Sequence, residues 1–400
     1  MNPEEAVVIL PEKSLAWGRS KSCIRELAAY GAARKAAIGP ENVFDFSIGN
    51  PSVPAPPAVA QAMRELMDMD PVALHGYTPA AGRPSLRKAI ADDLKTRYGS
   101  RIPPELIYVC CGAAAGLAAC MHGLLCPGEE ALTFAPFFPE YRVFVEGAGG
   151  VLTALPPAEG LQPDLAALEA ALNPRSKLLI INTPNNPSGV ILSPETLTQL
   201  GQVLRRAEQR FGHPVYLVSD EPYRELVYDG KAPFVPDFYE NTILCYSFSK
   251  SLSLPGERVG YLAVSDAMAE RELVFAALAG AARSLGYVNA PSFMQFVAER
   301  CVGLTADLSV YKANRDLLYR SLCELGFTCV YPDGAFYLFM QSPEPDAKAF
   351  SERAKRHELL LVPADDFGLG GYVRLAYCVT EDMIRRSLPA FAALAADYFN

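Results

Sequence analysis

The chain has 400 residues, half of them hydrophobic and a fifth charged, with a formal net charge of −9 at pH 7. That length exceeds one ordinary core and points to two domains. The acidic balance argues against non-specific binding to nucleic acid or anionic membranes, and no apolar stretch reaches membrane-spanning length.

At the N-terminus the apolar run Ala6 to Leu10 is too short, and too closely followed by charge, for a signal peptide or an anchor. The ten cysteines lack CxxC spacing and Cys110 and Cys111 are adjacent, a poor disulfide framework. Reduced thiols serving mostly as small core residues fit better, so a cytoplasmic protein is expected. The four histidines are not spaced as a metal pair, and no metal site is expected.

Candidate strands follow in order at LIYVCCG (106–112), ALTFAP (131–136), KLLIINTP (177–184), VYLVSDEPY (215–223), TILCYSFSK (242–250) and GYLAV (260–264). They are rich in β-branched and aromatic residues, and several lack polar alternation. Strands covered on both faces have that pattern, which predicts a largely parallel sheet. A long helical stretch is expected after Pro291. Next come a hairpin-like FTCVYPDGAFYLFM, a polar helix near 346–358 and a short strand YVRLAYC (372–378). The predicted class is α/β. A large domain over residues 46–300 carries a mainly parallel sheet flanked by helices, and residues 1–45 with 301–400 form a smaller α+β domain. In such sheets ligands bind beyond the carboxyl ends of the strands, where Asn186, Asp220, Tyr223 and Lys250 all fall.

The segment YSFSKSLSLPGERVGY (246–261) holds the strongest signal. A lysine amine attacks aldehydes once burial and neighbours lower its pKa. Hydroxyls at Ser247 and Ser249 and the fixed cation of Arg258 suit a phosphate dianion. An aldehyde and a phosphate on one cofactor describe pyridoxal 5'-phosphate. A solvated lysine would predict none of these neighbours. Asp220 reads either as a cap or ion-pair residue, or as the carboxylate that keeps a pyridine nitrogen protonated. Tyr223, three residues on, and Asn186 in NTPNNPSG can offer donors to the ring's phenolic oxygen, although Asn, Pro and Gly also favour plain turns. CCGAAAG (110–116) is a strand–helix turn whose small residues also expose backbone N–H groups to an anion. Arg374 is an odd charge in an apolar strand and needs a partner, either a structural carboxylate or a substrate α-carboxylate. Tyr77 and Phe138 read by default as packing residues, and Arg283 as a surface helix charge.

Taken together, SFSK, GERVG, NNPSG and DEPY resemble the class I/II aminotransferases of PLP fold type I, the aspartate aminotransferase superfamily. The likeness runs from about residue 45 to 378. It implies Lys250 as the Schiff-base lysine, Asp220 as partner of the pyridine nitrogen, and Tyr223 and Asn186 at the phenolic oxygen. It also implies that Ser247, Ser249, Arg258 and the backbone of Ala113 and Ala114 hold the phosphate. Phe138 corresponds to the aromatic stacked on the ring. Gly49 and Arg374 match a substrate-contacting glycine and the carboxylate-binding arginine, with Asn186 and Phe138 beside them. Tyr77 matches a tyrosine that reaches the neighbouring subunit's phosphate, which implies a homodimer with shared active sites.

The implied activity is amino transfer between an L-amino acid and a 2-oxo acid, with Lys250 moving the α-proton. Phe138 stands where aspartate enzymes often have Trp, and Ala113-Ala114 replaces their Ser, Thr or Gly, so the substrate is less constrained than the cofactor. Arg283 is a candidate for the distal carboxylate of aspartate or another dicarboxylic donor. A carbon–sulfur β-lyase of the same fold would share nearly all these residues. A PLP-sensing regulatory protein would need a basic DNA-binding module that the sequence lacks, and a non-catalytic binding protein is the remaining alternative.

Overall fold

The computed structural model describes residues 10–19 and 22–399. The apolar run at Ala6–Leu10 therefore lies, Leu10 apart, outside the described residues. The first strand, β1, is Phe44–Asp45. The next seven build the main sheet: β2 (Ile107–Cys110), β3 (Glu130–Phe134), β4 (Val151–Leu155), β5 (Ser176–Asn182), β6 (Tyr216–Asp220), β7 (Thr242–Ser247) and β8 (Gly260–Val264). Their order is β2-β8-β7-β6-β5-β3-β4, and β8 alone runs antiparallel to its neighbours. The six strands read from the sequence are all present. The edge strand β4 was not anticipated, because only one side of it is covered and its burial alternates, with Val151 exposed.

Cross-strand register aligns the ends that matter. Asn182 of β5 lies opposite Asp220 of β6, which lies opposite Cys245 of β7. Gly260 of β8 faces both Ser247 of β7 and Cys110 of β2. A Cβ at Gly260 would sit 3.1 Å from Gly112 Cα, so glycine lets the turn after β2 close onto the end of β7. The helix that follows, Gly112–Leu124, is nearly all small or apolar and packs on the sheet. At Gly116 an added Cβ would lie 3.0 Å from Cys245 Sγ, which is why the small-residue run suits this approach.

Five more strands follow: β9 (Cys329–Val330), β10 (Tyr337–Gln341), β11 (Leu359–Leu360), β12 (Val362–Pro363) and β13 (Tyr372–Ala376). The sheet order β12-β13-β10-β9 is antiparallel throughout, so the hairpin read at 327–340 is present. β1 pairs in parallel with β11, and Leu27 and Val43 share an apolar cluster with Phe339, Leu360 and Phe367. The N-terminal segment thus packs on the second sheet. The long helix expected after Pro291 is instead two, Ser292–Cys301 and Leu308–Glu324. Gly303 with φ +84° breaks the first, and Asp307 caps the second by accepting the Ser309 N–H.

Candidate active site

A cleft of about 290 Å³ lies between the carboxyl ends of β5, β6 and β7 and the second sheet. It is lined by Gly49, Ala113, Ala114, Phe138, Asn186, Asp220, Tyr223, Ser247, Ser249, Lys250, Arg258 and Arg374. Twelve of the fourteen residues singled out in the sequence are therefore together. Tyr77 is fully exposed on the surface, and Arg283 is exposed at the end of helix Arg271–Ser284; neither lines this cleft.

Lys250 sits on the single helical turn Phe248–Ser251 that β7 feeds, capped by Ser247. Its Nζ donates to the Gly49 carbonyl at 2.8 Å and lies 5.2 Å from the Phe336 ring centre. Burial is the main cause that lowers its pKa to about 8, with the nearby Arg374 and Arg258 acting the same way. At neutral pH this leaves far more of the amine unprotonated than in an unshifted lysine.

Asp220 is 4% exposed at the end of β6. Its Oδ2 accepts the Tyr141 hydroxyl at 2.6 Å, and its Oδ1 is buried without a hydrogen-bond partner among the described residues. Burial raises the carboxyl pKa to about 7, a rise that the Tyr141 hydrogen bond opposes. A buried carboxylate oxygen without a donor is costly. A protonated ring nitrogen would satisfy it.

Three groups of donors line the same cleft. Ser247 Oγ and Ser249 Oγ are 2.8 Å apart. Helix Gly112–Leu124 has no side-chain cap on its first turn, which leaves backbone N–H groups free to meet an anion. The Arg258 guanidinium, anchored to the Pro255 carbonyl at 2.8 Å, packs against Gly112, where an added Cβ would be 2.8 Å from Nη2. Hydroxyls, a helix N-terminus and an arginine are the groups that a phosphate dianion would need. With the unpartnered Asp220 oxygen, these residues fit pyridoxal phosphate.

Arg374, on β13 and 3% exposed, donates to Asn186 Oδ1 at 3.2 Å and to the Ser47 carbonyl. Its Nε has no partner among the described residues, and its guanidinium stacks on the Tyr337 ring at 4.7 Å. The geometry leaves donor capacity for a ligand carboxylate.

Three contributors escaped the sequence reading. Asn182 joins two of the motifs: its Nδ2 donates to the Asp220 carbonyl at 2.7 Å and its Oδ1 accepts the Asn186 N–H at 2.6 Å. Tyr141 holds Asp220, and Tyr337 meets Tyr223, hydroxyl to hydroxyl, at 2.9 Å. Asn182 opens NTPNNPSG and Tyr141 closes APFFPEY, both segments already weighed for the site, whereas Tyr337 lies in the hairpin read only for its fold.

Among the described residues no helix is long and apolar enough to cross a membrane. The family described as aminotransferase class I and II matches residues 41–391. The chain is 32% identical, over 87% of its length and 90% of the other's, to a probable aspartate/prephenate aminotransferase from Thermus aquaticus. A solved amino transferase from Eubacterium rectale is 47% identical, with a TM-score of 0.96 over 98% of this chain and 100% of that one. Thermus thermophilus aspartate aminotransferase with maleate superposes with a TM-score of 0.86 at 27% identity, covering 97% and 100% of the two chains. Sequence, fold and cleft agree that this chain belongs to the class I and II aminotransferases, a pyridoxal-phosphate-dependent family of transaminases.

Proposed function

We propose that the chain carries pyridoxal phosphate on Lys250 and transfers an amino group from an L-amino acid to a 2-oxo acid. The observation that carries this reading is the meeting, in one cleft, of a buried amine and a buried carboxylate oxygen that lacks a protein donor. Bound there, the cofactor supplies the carbonyl that the amines attack and the electron sink for the α-carbanion. Asp220 Oδ1 would accept a hydrogen bond from the protonated pyridine nitrogen. Tyr223 and Asn186 would donate to the phenolic oxygen, and Phe138 would pack against the ring. Ser247, Ser249, Arg258 and the N–H groups of Ala113 and Ala114 would hold the phosphate. Arg374 grips the α-carboxylate beside Asn186 and Gly49, fixing the donor so that its α-hydrogen faces Lys250. Lys250 Nζ would take the α-proton as general base and give it back as general acid on the far side of the imine nitrogen, a role suited by a pKa near 8.

The proposed organisation is a large domain over 46–300 and a smaller one from 1–45 and 301–400, with the cleft between them. A cytoplasmic homodimer is part of the reading. Tyr77, fully exposed here, would reach the phosphate of the partner subunit. A dicarboxylic donor such as aspartate is supported by the names of the Thermus relatives. Arg283 lies outside this chain's cleft, so a service to a distal carboxylate would have to be given across a dimer interface. The test is a panel of amino donors against 2-oxoglutarate, pyruvate and oxaloacetate. Keto-acid-dependent transfer supports the reading, whereas pyruvate and ammonia released without an acceptor would favour the β-lyase. Lys250→Ala should abolish turnover, and full activity in that variant would overturn the assignment.

A further inference from the structure

Tyr337 is a buried residue at which several separate parts of the cleft meet. It stands at the start of β10, opposite Ala376, so its side chain reaches the cleft from the second sheet. Its hydroxyl is 2.9 Å from that of Tyr223, with the two rings edge to face at 5.6 Å. An added Cβ on Gly49 would fall 2.1 Å from the same hydroxyl, so residue 49 must be glycine for the phenol to lie there. Gly49 in turn accepts from Lys250 Nζ, and the Tyr337 ring carries the Arg374 guanidinium on its face.

A tyrosine hydroxyl has one proton. If Tyr223 spends it on the phenolic oxygen of the cofactor, as in the function proposed above, Tyr223 Oη is left as an acceptor. Tyr337 is the group in place to donate to it. We infer that Tyr337 is a positioning residue with two separable parts: its hydroxyl strengthens the hydrogen bond from Tyr223 to the cofactor, and its ring aligns Arg374 for the substrate carboxylate. Chained hydrogen bonds polarise one another, so the first donor makes the second a better one. Charge withdrawn from the phenolic oxygen disfavours the protonated lysine–cofactor linkage, whose N–H leans on that same oxygen.

The test uses the pyridoxal-phosphate-loaded protein and two substitutions. Tyr337→Phe keeps the ring and removes the hydroxyl. Its absorbance titration should shift to higher pH by about half a unit, with KM for the amino donor within twofold of the parent. Tyr337→Leu removes the ring as well, and KM should rise about tenfold through lost alignment of Arg374. In a Tyr223→Phe background, adding Tyr337→Phe should leave the titration midpoint where Tyr223→Phe alone puts it. Unchanged melting temperature of Tyr337→Phe verifies the fold. An unshifted midpoint in Tyr337→Phe, or a shift that persists without the Tyr223 hydroxyl, overturns the inference. Failure of the underlying function reads differently, since the parent protein would then show no cofactor absorbance to titrate.

Discussion

Asp220 offers the sharpest physical test, because the cofactor-free fold carries it at a disadvantage. The carboxyl titrates near 7 when folded against 3.8 in an unperturbed chain. Between those values the folded protein binds more protons than the unfolded one, so this group's contribution to stability falls as pH rises and is fully unfavourable above pH 7. About three units correspond to roughly 4 kcal/mol. Asp220→Asn removes the titration. The new amide N–H at the position of Oδ1 would lack an acceptor and cost about 1–3 kcal/mol, but equally at every pH. Urea unfolding of the cofactor-free parent and variant from pH 4.5 to 8 should therefore diverge with pH, the variant gaining about 3–4 kcal/mol relative to the parent across the range. The same variant should lose nearly all transaminase activity. Stability curves that stay parallel would refute the argument that Asp220 is a buried carboxylate awaiting a cationic partner.

Other outcomes follow from the same cleft. The rate at which cofactor-free protein combines with pyridoxal phosphate should climb with pH through about 8, because only the neutral Lys250 amine attacks; a midpoint near 10.5 would contradict the lowered pKa. Arg374→Leu should reduce kcat/KM by about a hundredfold, mostly through KM, the loss of a charge-assisted bidentate contact; unchanged kinetics in a donor panel would remove the carboxylate role. Gly112→Ala forces a side chain into φ +77° and against Arg258, and should weaken pyridoxal phosphate affinity at least tenfold in a titration of cofactor-free protein.

How much of this was legible in the sequence depended on where the information lay. Strands β5, β6 and β7 are buried on both faces, so their apolar runs marked themselves and placed Asp220 and Lys250 at strand ends. The edge strand β4 has one open side and no such run. Gly303 and the Asp307 cap, single residues inside an otherwise helical pattern, decided the break between two helices. In the site, Lys250, Asn186 and Arg258 sit in motifs whose chemistry is local. Tyr141 and Tyr337 act on residues 79 and 114 positions away, and only the packing of distant elements reveals those contacts. Gly49 was marked by the resemblance alone; the physical need for glycine there shows only once the Tyr337 phenol is seen against it.

The account stands on one covalent attachment. Borohydride reduction of the protein loaded with pyridoxal phosphate, followed by peptide mapping, should find the reduced pyridoxyl group on Lys250 alone. A pyridoxyl group on another lysine, or none on any peptide, would contradict it.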